Sequence, residues 1–118
     1  MATDQFTERL KTIRIRFAAN LPGKIDNVER VLPELSGQND AVMTTLATAH
    51  RSVHELCGIG PTVGFPETGR AARVVERILL QPLRAKRGLT DSEIASARQE
   101  LAALRSAFQA DLQKTQAE

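Results

Sequence analysis

Cysteine occurs once, at Cys57, and tryptophan and tyrosine not at all. A single thiol excludes an intramolecular disulfide framework and a cysteine-based zinc cluster. The aromatic residues are four Phe, which leaves no stacking platform for single-stranded nucleic acid. Neither sign of charge dominates. Sixteen Lys and Arg stand against 14 Asp and Glu, for a net charge of +2. That is too small a bias to draw the chain to DNA or to an anionic membrane. Long apolar runs are missing too, since none nears the ~20 residues of a spanning helix. The charged start, MATDQFTERLK, lacks the apolar core of a signal peptide. No Gly-rich phosphate loop of the Walker type is present. A cytoplasmic protein without nucleic-acid or membrane partners is expected.

What is present is helical periodicity. The 118 residues are 42% hydrophobic and 25% charged, the composition of a globular chain. They are expected to form one domain over 1–118. Phe6, Leu10, Ile13, Phe17 and Leu21 share one helix face, with Asp4 placed as N-cap. Leu21-Pro22-Gly23 is expected to break or sharply bend that helix. Ile25, Val28, Val31, Leu32 and Leu35 mark a second helix. A third is expected over 40–57, with Val42, Leu46, Ala49, Val53 and Leu56 as its stripe.

Three Gly and two Pro between Gly58 and Pro66 cannot sustain a regular helix for long. Pro66 suits the start of a fourth helix, carrying Ala71, Val75, Ile78, Leu79 and Leu83, and Pro82 ends or kinks it. Arg84, Lys86 and Arg87 read as a solvated connection. Thr90 and Glu93 have capping-box spacing. The last helix runs through Ile94, Ala97, Leu101, Leu104, Phe108 and Leu112; the polar tail 113–118 is expected to fray. Short loops between amphipathic helices imply antiparallel neighbours. The expected fold is all-α: an antiparallel helix bundle with a four-helix core and an additional N-terminal helix.

Chemistry concentrates on the third helix. The chain's two histidines, His50 and His54, lie four apart and so on one face. His54 follows the core residue Val53 and points about 100° away from it, to the edge of the packed stripe. Its neighbours on that face are Ala47, His50, Arg51, Cys57 and Gly58. Gly58 costs about 1 kcal/mol of helix propensity relative to Ala and leaves the imidazole open to something large. Two histidines at this spacing also suit a metal, but Cys57 would have to join them. His50 reads more simply as a partly exposed neighbour that tunes local charge.

The run His54-Glu55-Leu56-Cys57-Gly58-Ile59-Gly60-Pro61-Thr62-Val63-Gly64-Phe65 resembles the active-site segment of histidine phosphotransfer (HPt) domains. Leu56, Gly58, Gly64 and Phe65 match the family pattern when counted from His54, not from His50. Phe-x-x-Arg-Leu near the start, Leu21-Pro22, Glu67 and Ala71-Ala72 are similar as well. The resemblance covers nearly the whole chain, and its specific part is 47–76. It departs at Cys57, where the family usually has Lys.

The resemblance implies a phosphohistidine carrier of a two-component phosphorelay, with no ATP-binding or kinase site of its own. His54 would accept a phosphoryl group from the aspartyl phosphate of a response-regulator receiver domain and pass it on. The phosphotransfer domain of chemotaxis histidine kinases, similar too, carries a Glu on the next helix where Glu76 stands here. That Glu would orient the imidazole through Nδ1. Arg73, one turn before Glu76, would supply the charge that Cys57 lacks, with Arg51 as a second candidate. Arg51, Cys57 and Gly58 would lie on the receiver-facing surface. The expected partners are receiver domains and a hybrid histidine kinase, with the chain itself a monomer. No cofactor or metal is expected on this chain, the Mg²⁺ belonging to the receiver. The other reading is an inactive HPt-like bundle that serves as an interaction or scaffold module.

Overall fold

The computed structural model describes residues 2–117, with side-chain surroundings over 5–115. Four helices make the fold: α1 (Ala2–Val31), α2 (Asp40–Thr62), α3 (Pro66–Arg84) and α4 (Asp91–Ala117). A 3-10 turn over Leu32–Ser36 follows α1. No strand occurs among the described residues, so the chain is an all-α helix bundle. Among the described residues no helix is long and apolar enough to cross a membrane.

Local signals set most boundaries. The Asn39 side chain accepts from the Val42 amide at 2.9 Å and starts α2, as an N-cap should. Pro66 opens α3. The capping box of α4 is formed on both sides. The Thr90 amide donates to Glu93 at 2.9 Å, and the Glu93 amide donates to the Thr90 hydroxyl at 3.1 Å. The seam from Ile94 to Phe108 is buried as its spacing predicts.

Two expectations about α1 are corrected. The helix does not break at Leu21-Pro22-Gly23; it runs unbroken to Val31, and the expected additional N-terminal helix is the first half of one long element. Phe17, Leu21, Ile25 and Val28 are all buried and form one stripe across the break signal. Burying four such side chains at about 1.5–3 kcal/mol each outweighs the roughly 3 kcal/mol of an interior proline. Pro22 and Gly23 stay on the solvent side. Conversely, the first part of the predicted stripe is not core. Phe6 and Ile13 are exposed and Leu10 is only partly buried, because α1 begins before the other helices can cover it. Asp4 lies inside α1 rather than at its cap.

α2 outlasts the expected end at Cys57 by a further turn and takes in Pro61. The turn 63–65 then reverses the chain, so α2 and α3 pack as an antiparallel hairpin. Gly64 has a φ of 95°, where glycine is strongly favoured. Arg14 of α1 ties this turn down, its Nε donating to the Val63 carbonyl at 2.8 Å. The Phe65 ring is fully buried between Phe17 and Phe108.

At the start of α3, Phe65 offers no side-chain cap. Asp111 of α4, itself buried, takes that role. It accepts from the Thr68 amide at 2.7 Å, the Thr68 hydroxyl at 2.8 Å and the Glu67 amide at 3.4 Å.

The opposite end of the hairpin is closed by backbone. The Leu89 amide donates to the Leu35 carbonyl at 2.7 Å. Gly88 lies so close that an added Cβ would come within 2.6 Å of that carbonyl oxygen. The connection 83–88 is thus not merely solvated. Arg87 holds Glu93 through two hydrogen bonds, at 2.7 and 3.1 Å. α4 continues to Ala117, so the expected fraying over 113–117 is not observed; Glu118 lies outside the described residues.

Candidate functional site

The hairpin brings one edge of α2 against one edge of α3. α2 contributes His50, His54, Cys57 and Gly58. α3 contributes Arg73, Glu76, Arg77 and Leu80. His54, Cys57, Gly58, Arg73, Glu76, Arg77 and Leu80 line one open cavity of about 400 Å³.

Glu76 is the hub. Its Oε1 lies 3.1 Å from His54 Nδ1 and 3.7 Å from His50 Nε2. Its Oε2 accepts from the Cys57 thiol at 3.1 Å. The carboxylate is 17% exposed, whereas the His54 side chain is 65% exposed. The pair therefore has a sheltered side and an open side.

Protonation follows from these contacts. Burial raises the Glu76 pKa, but the hydrogen bonds from Cys57 and His54, with the charges of both histidines, outweigh it. The net shift is downward. Glu76 is thus ionised at neutral pH and has no proton to donate. A ring hydrogen on His54 Nδ1 would face this carboxylate at the 3.1 Å contact, and in that tautomer the lone pair is on Nε2.

Burial, then the hydrogen bond to Glu76 and its charge, push the Cys57 thiol up to about 12, against the pull of Arg73. At neutral pH it is a thiol and not a thiolate, hence a donor with little nucleophilic character. Burial lowers the pKa of His50, with Glu76 pulling the other way, so His50 is neutral at pH 7. Among the described residues no group of three or more His, Cys, Asp or Glu is arranged to hold a metal ion.

The structure brings together His54, Glu76, Arg73, Cys57 and Gly58, five of the six expected site residues. Glu76 meets His54 at Nδ1, the nitrogen expected. Two placements are corrected. Cys57 offers little outward surface; it is 8% exposed with its thiol turned to Glu76, because its position faces α3. Arg51 is exposed but lies outside the residues that line the cavity.

Two participants, Arg77 and Leu80, were not foreseen, and a third, His50, does more than expected. Arg77 stands one turn after Arg73 and lines the same cavity; its i, i+4 spacing was a legible signal. Leu80 adds an apolar wall. His50 is more deeply involved than a partly exposed neighbour would be. Its ring stacks on His54 with centroids 5.9 Å apart, and its Nε2 is buried without a hydrogen-bond partner among the described residues.

No protein-family model matches the chain, and neither the curated proteins nor the solved structures yielded a match.

Proposed function

We propose that the chain is a histidine-containing phosphotransfer protein that carries a phosphoryl group on His54 Nε2. The observation that carries this reading is the His54–Glu76 contact. It sets a carboxylate oxygen 3.1 Å from Nδ1, where it would hold a ring hydrogen, while the ring projects into solvent. A neutral imidazole held this way is a nucleophile aimed outward. Gly58 beside it leaves the approach clear, since nothing lies within 4 Å of where its Cβ would be.

In the forward step the Nε2 lone pair attacks the phosphorus of a receiver aspartyl phosphate in line. The Nε2–P bond forms as the P–O bond to aspartate breaks. The aspartate leaves as a carboxylate, and the Nδ1 hydrogen stays against Glu76. The reverse step passes the group to a second receiver. Charge develops on the phosphoryl oxygens. Arg73 and Arg77 flank the cavity and supply positive charge there, in place of the Lys that the family resemblance expects at position 57. The remaining stabilisation comes from the receiver and its Mg²⁺. This is a carrier rather than an enzyme, with receiver domains and a hybrid histidine kinase as partners.

A second reading rests on Cys57. A neutral, buried thiol where a cation is expected favours an inactive bundle that only binds partners. Phosphotransfer profiling separates the two. The protein is mixed with radiolabelled, phosphorylated receiver domains from the same genome, beside His54→Ala and His50→Ala. Acid-labile, base-stable label absent only from His54→Ala supports the carrier. No label from any receiver supports the interaction module.

A further inference from the structure

His50 is unusual among the site residues because nothing about a phosphoacceptor requires a second histidine one turn earlier. Its Nε2 is shut off from solvent and has no hydrogen-bond partner among the described residues. The polar atom facing it is Glu76 Oε1 at 3.7 Å, the same oxygen that receives His54 Nδ1 at 3.1 Å. A carboxylate oxygen can accept two hydrogens, and a buried polar nitrogen is costly to leave unpaired.

Resting on the carrier reading above, we propose that His50 is a positioning residue: as the neutral Nε2–H tautomer it steadies Glu76 over His54 Nδ1 and so keeps His54 Nε2 bare for attack. Three groups then bear on one carboxylate. Cys57 donates to Oε2 at 3.1 Å, His54 Nδ1 lies 3.1 Å from Oε1, and His50 Nε2 faces the same oxygen at 3.7 Å, a separation that a small movement of the carboxylate closes. Arg84 also acts on His50, and with Glu76 and His54 completes the charged surroundings that bear on it. Burial, with His54 and Arg84, keeps His50 neutral against the pull of Glu76, and a neutral ring with its hydrogen on Nε2 can donate to the carboxylate.

The test is long-range ¹H–¹⁵N NMR of the histidine rings at pH 7.5, with the rate at which phosphoramidate phosphorylates His54. Both readouts are independent of any receiver. In the wild type, His50 should be protonated at Nε2 and His54 at Nδ1. His50→Leu keeps the bulk but not the donor. It should mix the His54 tautomers and slow phosphorylation by about tenfold, the effect of roughly one hydrogen bond. His50→Gln can donate from its amide and should restore both to near wild type. A merely structural role would move neither readout selectively.

A bare His50 Nε2 in the wild type, or a His50→Leu protein with unchanged His54 tautomer and rate, overturns the proposal. Glu76→Leu, which leaves no acceptor at this position, separates this from the reading it rests on. If His54 keeps its Nδ1 hydrogen without the carboxylate, the His54–Glu76 pairing itself fails.

Discussion

Cys57 donates its thiol to Glu76 at 3.1 Å, on the oxygen opposite the one that faces His54. A residue that looked like the loss of a cation is in fact a clamp on the carboxylate. Among the groups that lower the Glu76 pKa, this hydrogen bond is the largest. Cys57→Ala should therefore raise that pKa toward the ordinary carboxylate value, as read by ¹³C NMR titration. Phosphorylation of His54 should slow by less than about tenfold, because a neutral hydrogen bond contributes only about 0.5–1.5 kcal/mol.

Arg73 and Arg77 line the cavity beside His54. Each should steady the phosphoryl oxygens at modest cost to the fold, since both are exposed. Arg73→Ala should slow transfer from a phosphorylated receiver by about tenfold, and the double Ala variant by more. Stopped transfer assays would read this. Wild-type rates in the double variant would remove both from the mechanism.

Gly58→Ala should split stability from function. The residue is exposed inside α2 with free space around it, so Ala should stabilise by about 0.5–1 kcal/mol. The same methyl narrows the approach to His54 and should reduce exchange with a receiver. Urea melts and transfer rates on one preparation check both signs.

Asp111→Ala removes the cap that α4 lends to α3 and strands the buried Thr68. The expected loss is about 2–3 kcal/mol in urea unfolding. The His54–Glu76 contact lies well along the hairpin from that cap, so the folded protein should keep its phosphorylation rate.

Acid should weaken the fold in two stages. The folded-state pKa of His50 is depressed. Below about pH 6.5 the unfolded chain takes up a proton that the folded chain resists, so stability falls with pH. Glu93 is held down to about 2, chiefly by Arg87. Its contribution is present above 4.5 and is lost as pH falls toward 2. Glu76 acts in the same direction below 4.5. Urea midpoints from pH 8 to 3 should show both stages. His50→Gln should flatten the first and Glu93→Gln the second.

The sequence carried the bundle and much of the site because both rest on spacing. Periodic stripes found the buried faces of α2, α3 and α4, and the Thr90–Glu93 pair announced its own geometry. The unbroken α1 was not legible. Pro22 and Gly23 are local signals, and the packing of Leu21 and Ile25 that overrides them is not local. Asp111 as a cap for α3 was hidden for the same reason: donor and acceptor sit on different helices. In the site, His54 and Glu76 were found through resemblance. The thiol of Cys57 and the nitrogen of His50 converge on Glu76 only through the lateral register of α2 against α3.

That register is held from both ends. Arg14 pins the turn at 63–65, and the Leu89 amide closes on the Leu35 carbonyl at the root of the hairpin. The segment bearing His54 is thus a loop whose ends are joined, and most of its ordering entropy is already lost before any partner arrives. A domain docking at this face, as proposed, would meet a platform rather than a segment it must first arrange. Affinity for this face should therefore depend on what the surface presents, with little lost to organising it.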